Sequence, residues 1–244
     1  MIFLIKKRKV VLDLFTYQPR VFEYAKPKMA TQFFPNWWKD LKAYIPDNEV
    51  ELKPTMKRCM GLVDHFKHGI IVPMWTDFRI EIGEIGTEYH YGMVSDGHTS
   101  IVQHSPKQRG SFAPPDSYCN LKMESPWVGR CKEDIYFKWE QPTWNMDQLN
   151  SYTVLPATID FVYQNAINVH LLFFRHHIKN IRQINFGTPI AHMTPITERE
   201  IDLRYHMVTP LEYNNFLSGY RVSFLNSYRT FRRAKENGKS NGSN

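Results

Sequence analysis

The rhythm of hydrophobic residues along this chain changes three times. KVVLDLFTY, residues 9–17, is rich in β-branched and aromatic side chains and predicts a first strand. After a Pro-punctuated stretch, PTMKRCMGLVDHFKHG takes a helical period. Met56, Met60, Val63 and Phe66 fall on one face, with Thr55 at the start and Gly69 at the stop, so a short helix is expected near 55–68. The following segments are shorter, and several of them alternate: IIVPMW, DFRIEIGE, GTEYHYGMV, TSIVQH, YCNLKME, DIYFKWEQ, SYTVLPATID, INVHLLFFR and TPIAHMTPI. Gly, Pro and an Asp96-Gly97 turn divide them, and their close spacing predicts a mainly β fold, a barrel or sandwich rather than βαβ units.

The third change comes at Thr209. Thr209-Pro210-Leu211-Glu212 has the spacing of a capping box with proline at the first helical position. Leu211, Phe216, Leu217, Tyr220, Phe224, Leu225, Tyr228 and Phe231 then mark one stripe, predicting a long C-terminal helix of about 39 Å. The expected organisation is one β-rich domain over 1–208 with the short helix embedded, a helix over 209–235, and a flexible polar tail over 236–244. If the stripe is exposed, Phe216, Tyr220, Phe224, Tyr228 and Phe231 form an assembly surface. If the helix folds back on its own sheet, they belong to the core.

Composition agrees with a globular chain: of 244 residues 42% are hydrophobic and 14% aromatic, enough for a packed core. The net charge of +7 is concentrated at the ends, in Lys6, Lys7, Arg8 and Lys9 and in Arg229, Arg232, Arg233, Lys235 and Lys239. Such termini suit nucleic acid or an acidic protein surface, and equally a solvated flank. Cys59, Cys119 and Cys131 form no CxxC pair, so neither a disulfide framework nor a cysteine zinc site is expected, and a reducing compartment fits. No window has the length of a membrane span, and a soluble protein is expected.

Familiar catalytic signatures are missing. The chain carries no GxSxG, GxxxxGK[ST] or GxGxxG, and its ten histidines contain no HExxH. His90, His98 and His104 lie in neighbouring expected strands, while His176 and His177 cannot face one way on a strand. No metal is expected from these spacings. Phe33, Phe34, Pro35, Trp37 and Trp38 are dense enough to plug a core or to form a binding platform.

Two resemblances add to this reading. ATIDFVYQN, residues 157–165, resembles the G-x-I-D-x-x-Y-R-G motif of the dUTPase and dCTP deaminase superfamily, with Ala157, Ile159, Asp160 and Tyr163 in register. FGTPIAHMTPI, residues 186–196, is similar to the G-D-x-I-A-Q-L motif that follows there. The resemblance implies a distorted dUTPase-like fold of the β-clip or jelly-roll kind over about residues 120–196, often trimeric. Asp160 would then orient or deprotonate the attacking water, and Tyr163 would pack on deoxyribose. Arg130, Lys132 or Arg175 would contact phosphate, Trp139 or Trp144 would stack on a base, and Mg²⁺ would be needed only in that case. The motif departs at Gln164 and Asn165, and EQPTWNM stands where the superfamily holds its phosphates. The other reading of Asp160 is a turn cap before a core strand.

PNWWKDLK, TMKRCMGLVDHFKHGIIVP, SPWVGRC and NFGTPIAHMTPI, in that order, are similar to an uncharacterised family encoded by tailed bacteriophages. This resemblance implies viral origin and a place in the virion or the host bacterial cytoplasm, but no activity. Three expectations follow. The first is a non-catalytic phage interaction protein that binds a protein partner or itself, for example as a homotrimer. The second is a pyrimidine-nucleotide-binding protein or hydrolase, and the third is a nucleic-acid-binding protein acting through basic termini.

Overall fold

VVLDLFT alternates strictly, and strand β1 (Val10–Thr16) buries Val10, Leu12 and Leu14 completely on one face. The computed structural model to which it belongs describes residues 8–47, 51–83, 89–93, 100–104, 108, 112, 117–145, 152–163, 166–175 and 180–221. After β1 come helix α1 (Pro19–Tyr24), β2 (Lys28–Met29), helix α2 (Asn36–Asp40) and the hairpin β3 (Tyr44–Pro46) with β4 (Leu52–Pro54). Helix α3 (Met60–His68), β5 (Ile70–Pro73), β6 (Phe78–Ile82), β7 (Tyr89–Met93) and β8 (Ser100–Gln103) follow. The chain continues through β9 (Tyr118–Cys131), β10 (Phe137–Glu140), β11 (Thr153–Val154), β12 (Ala157–Ile159), β13 (Ala166–Phe174) and β14 (Asn180–Ile184). It then forms β15 (Pro189–Pro195), β16 (Ile201–Met207) and helix α4 (Pro210–Arg221).

The first sheet runs β11-β13-β9-β1-β16. Its spine is β9, 14 residues long, which pairs with β13 along one edge. Along the other edge it pairs first with β8 and then with β1. The β1–β16 pair is parallel, and every other strand pair among the described residues is antiparallel. The second sheet runs β12-β10-β15-β5-β2, and a third runs β14-β6-β7. Inward side chains from all three meet in one core, among them Leu121 and Val169, Trp139 and Met193, and Phe78 and Ile80. Burying one such side chain fully contributes roughly 1.5–3 kcal/mol. The fold is therefore mainly β and of sandwich type, and no sheet closes into a barrel among the described residues.

The expected helix near 55–68 divides. Thr55 Oγ1 accepts from the Lys57 amide and caps a 3₁₀ turn over Met56–Arg58, and α3 starts only at Met60. Its apolar stripe is also not the buried face, because Met56 and Met60 are exposed and Phe66 alone is fully buried. The long C-terminal helix is described only as α4, 12 residues or about 18 Å, and its inner side packs on the first sheet. Phe216 stacks on Phe15 at 4.5 Å, Tyr213 meets Tyr17 edge-on at 4.8 Å, and the Tyr213 hydroxyl donates to the Ser125 carbonyl. Phe224, Tyr228 and Phe231 lie outside the described residues, as do the Tyr220 side chain, Asp96-Gly97 and the basic clusters except Arg8 and Lys9. Strand β16 is an addition to the expected elements.

Candidate metal centre

On β10, Phe137 and Trp139 point into the core, which turns Lys138 and Glu140 to the other face of the second sheet. On the neighbouring strand β15, Met193 faces inward beside Trp139, and His192 and Thr194 face outward. The antiparallel register sets Glu140 directly opposite His192, and Lys138 opposite Thr194. Helix α3 lies over this outer face: Phe66 packs with Ile71 and Ala30, and one residue earlier His65 is brought above His192. The two imidazoles meet edge to face, with centroids 4.1 Å apart.

Glu140 Oε1 is the point on which the group converges. It lies 3.8 Å from His65 Nδ1 and 3.9 Å from His192 Nδ1, and donor atoms of the three residues all fall within 4.8 Å of one another. Donors around a tetrahedral zinc at about 2.0–2.2 Å sit roughly 3.4 Å apart, so an ion would draw these side chains in by less than a rotamer change. The carboxylate is oriented by Thr194, whose hydroxyl donates to Oε1 at 3.1 Å, and by Lys138, whose ammonium donates to Oε2 at 3.0 Å.

Protonation states favour ligation. Burial lowers the His192 pKa to about 4, assisted by His65 and partly offset by Glu140, and burial likewise lowers that of His65. Burial pushes the Glu140 carboxyl up, but the hydrogen bonds from Lys138 and Thr194 and the nearby positive charge outweigh it and hold the group below its ordinary value. Near neutral pH the cluster thus presents two neutral imidazoles and one carboxylate, the forms in which these side chains bind metal. His192 is 2% exposed, and its Nε2 has no hydrogen-bond partner. This nitrogen sits so close to Gly69 that a Cβ there would lie 1.6 Å from it. Gly69 thereby keeps the ring in place with Nδ1 towards Glu140.

Next to the cluster is an aromatic group assembled from three parts of the chain. Trp38 and Phe66 are in ring contact with each other and each with both Phe34 and Trp144, and Trp37 stacks on Trp144 while its Nε1 donates to the Trp144 carbonyl. The dense FFPNWW segment thus plugs the space beside α3, and Trp144 completes the plug.

The residues expected from the superfamily motifs lie elsewhere. Asp160 is 2% exposed; its Oδ1 accepts from the Val162 amide at 2.9 Å, and its carbonyl accepts from Tyr163. That is the turn-capping geometry. The Phe161 carbonyl accepts from the Cys131 amide, so Asp160 and Arg130 flank one backbone bond, with Tyr163 in the same turn. Trp139 is 2% exposed in the core, and Trp144 belongs to the aromatic plug, so neither Trp is beside this turn as a free stacking face. Gln164, Asn165, His98, His176 and His177 lie outside the described residues. His90 is on β7 of the third sheet and His104 follows β8 of the first, so these two do not share neighbouring strands.

His65, Glu140 and His192 obey no spacing rule, since only the β10–β15 register and the placement of α3 bring them together. The available signal was slight: PIAHMTP puts a histidine inside a largely apolar run, whereas DHFKHG sets His65 among polar residues and marks it with nothing. No protein-family model matches this chain, and no curated protein matches it in sequence.

Proposed function

We propose that this protein binds one first-row divalent metal ion, of the zinc or iron(II) type, through His65 Nδ1, His192 Nδ1 and Glu140 Oε1. The observation that carries this reading is the convergence of three donor atoms within 4.8 Å. Two imidazoles with one carboxylate are a borderline set that favours such ions over magnesium or calcium, which prefer all-oxygen shells. The similarity to tailed-phage proteins supports a phage origin for the chain, with a virion or host-cytoplasm setting. It carries no activity that competes with metal binding.

The interaction-protein expectation drew on the aromatic stripe of the C-terminal helix, and Tyr213, Phe216 and Leu217 are turned onto the protein's own sheet. The nucleotide expectation drew on Asp160, whose carboxylate holds a turn. Both readings have less support than the metal site.

The test is metal uptake by purified, chelator-treated protein, followed by calorimetry with Zn²⁺ and by elemental analysis after gel filtration. One ion per chain is expected. Glu140→Gln and His65→Ala, checked for native folding by circular dichroism, should each weaken binding by more than about 100-fold, beyond the 10–100-fold typical of outer-shell partners. Absence of uptake by the folded protein, or binding by both variants as tight as that of the unaltered protein, would overturn the proposal.

A further inference from the structure

Resting on the metal reading above, we infer that the site keeps an exchangeable coordination position and takes a small anion there, a carboxylate or phosphate group, rather than being closed for structural use. Three observations carry this. First, Glu140 enters the group through one oxygen, since Oε1 faces both histidines while Oε2 is turned to the Lys138 ammonium at 3.0 Å. Second, among the described residues no fourth His, Cys, Asp or Glu joins the group. Three monodentate donors leave a tetrahedral ion one position short, and an octahedral ion three short, the arrangement of ligand-exchanging sites. Third, burial is lopsided. His192 is sealed beneath α3, but the His65 and Glu140 side chains keep 29% and 27% of their exposure, so the vacant side is the one that faces solvent.

Charge selects the class of ligand. A doubly charged ion is only half balanced by the single carboxylate, and the Lys138 ammonium, 54% exposed, stands beside it. The open position therefore carries a net positive field on the solvent side, which favours an anion over a neutral donor. Lys138 has donor capacity beyond its one bond to Glu140, so it can hydrogen-bond the incoming group.

The experiment uses Co²⁺ as a spectroscopic replacement in the full chain. Visible absorption is recorded while azide, acetate or inorganic phosphate is added, with chloride held constant. A saturable change in the d–d bands is expected. Lys138→Met, whose lost bond to Glu140 also weakens metal binding, is loaded at saturating Co²⁺, and its apparent anion dissociation constant should be several-fold higher. Cobalt bands that no anion perturbs would overturn the inference and leave the metal reading standing. An anion response unchanged in Lys138→Met would remove Lys138 from the site. If the folded protein develops no cobalt bands, the metal reading itself falls.

Discussion

Gly69 shows how much one missing methyl group decides. Its backbone, at φ −82° and ψ 155°, is ordinary extended chain that any residue adopts. On backbone grounds alone Gly69→Ala would stabilise by about 0.4–1 kcal/mol through the unfolded state. The added Cβ, however, would fall 1.6 Å from His192 Nε2, 2.6 Å from Cε1 and 2.7 Å from Cδ2, so the whole ring would have to leave. Gly69→Ala is expected to destabilise the metal-free protein by about 1–3 kcal/mol. It should also abolish Zn²⁺ uptake. Gly61 is the control: it lies in α3 with nothing within 4 Å of its Cβ position, so Gly61→Ala should stabilise by up to about 1 kcal/mol. Urea unfolding of both variants makes the comparison, and equal effects would show that the His192 ring is not held against Gly69. The sequence marks Gly69 only as a helix stop. Its second role depends on a residue more than a hundred positions away and is invisible locally.

Helix α4 was legible at its start and not in its orientation. The capping box forms as the spacing predicts, with Thr209 Oγ1 accepting from the Glu212 amide and Glu212 Oε2 accepting from the Thr209 amide. A stripe of aromatic residues, by contrast, reads the same whether it faces a partner or its own sheet. The two cases separate on mutation. Leu217 is 8% exposed against Val128, Ala166 and Tyr213, so Leu217→Ala should cost about 2–3 kcal/mol. Leu211 is 72% exposed, and Leu211→Ala should change stability by no more than about 0.5 kcal/mol. Matching urea midpoints for the two would mean that α4 is not docked. The strands were legible where one face is buried, as in β1, because alternation survives in the sequence. β16 alternates too, in IDLRYHM, yet none of its residues is fully buried, and the exposed positions of β14 are polar or only part of a short run. The two- and three-residue strands β2, β3 and β4 exist through their partners and leave no pattern of their own. Met56 and Met60, correctly spaced for a helix, ended up outside because α3 covers its sheet with His65 and Phe66.

For the whole molecule, acid sensitivity follows from two histidines kept neutral. Burial, with His104 and Lys122 nearby, lowers the His170 pKa to about 4, and His192 is lowered to a similar value. Below about pH 6.5 the unfolded chain takes up protons that the folded one refuses until near pH 4, so stability falls across that window as pH falls. Each ring contributes at most about 1.4 kcal/mol per pH unit. Urea midpoints of the metal-free protein should drop between pH 7 and pH 5, and His170→Gln should make the slope shallower; a flat profile would contradict both assignments. Across the same molecule, β1 finds its parallel partner only in β16, from Val10 opposite Ile201 to Thr16 opposite Met207. On the ribosome, β1 must therefore wait for a partner nearly two hundred residues further along the chain. Until residue 207 has left the exit tunnel, one edge of β1 stays unpaired even after β9 has taken the other, and a cell making this protein relies on holding that nascent edge away from other chains in the meantime.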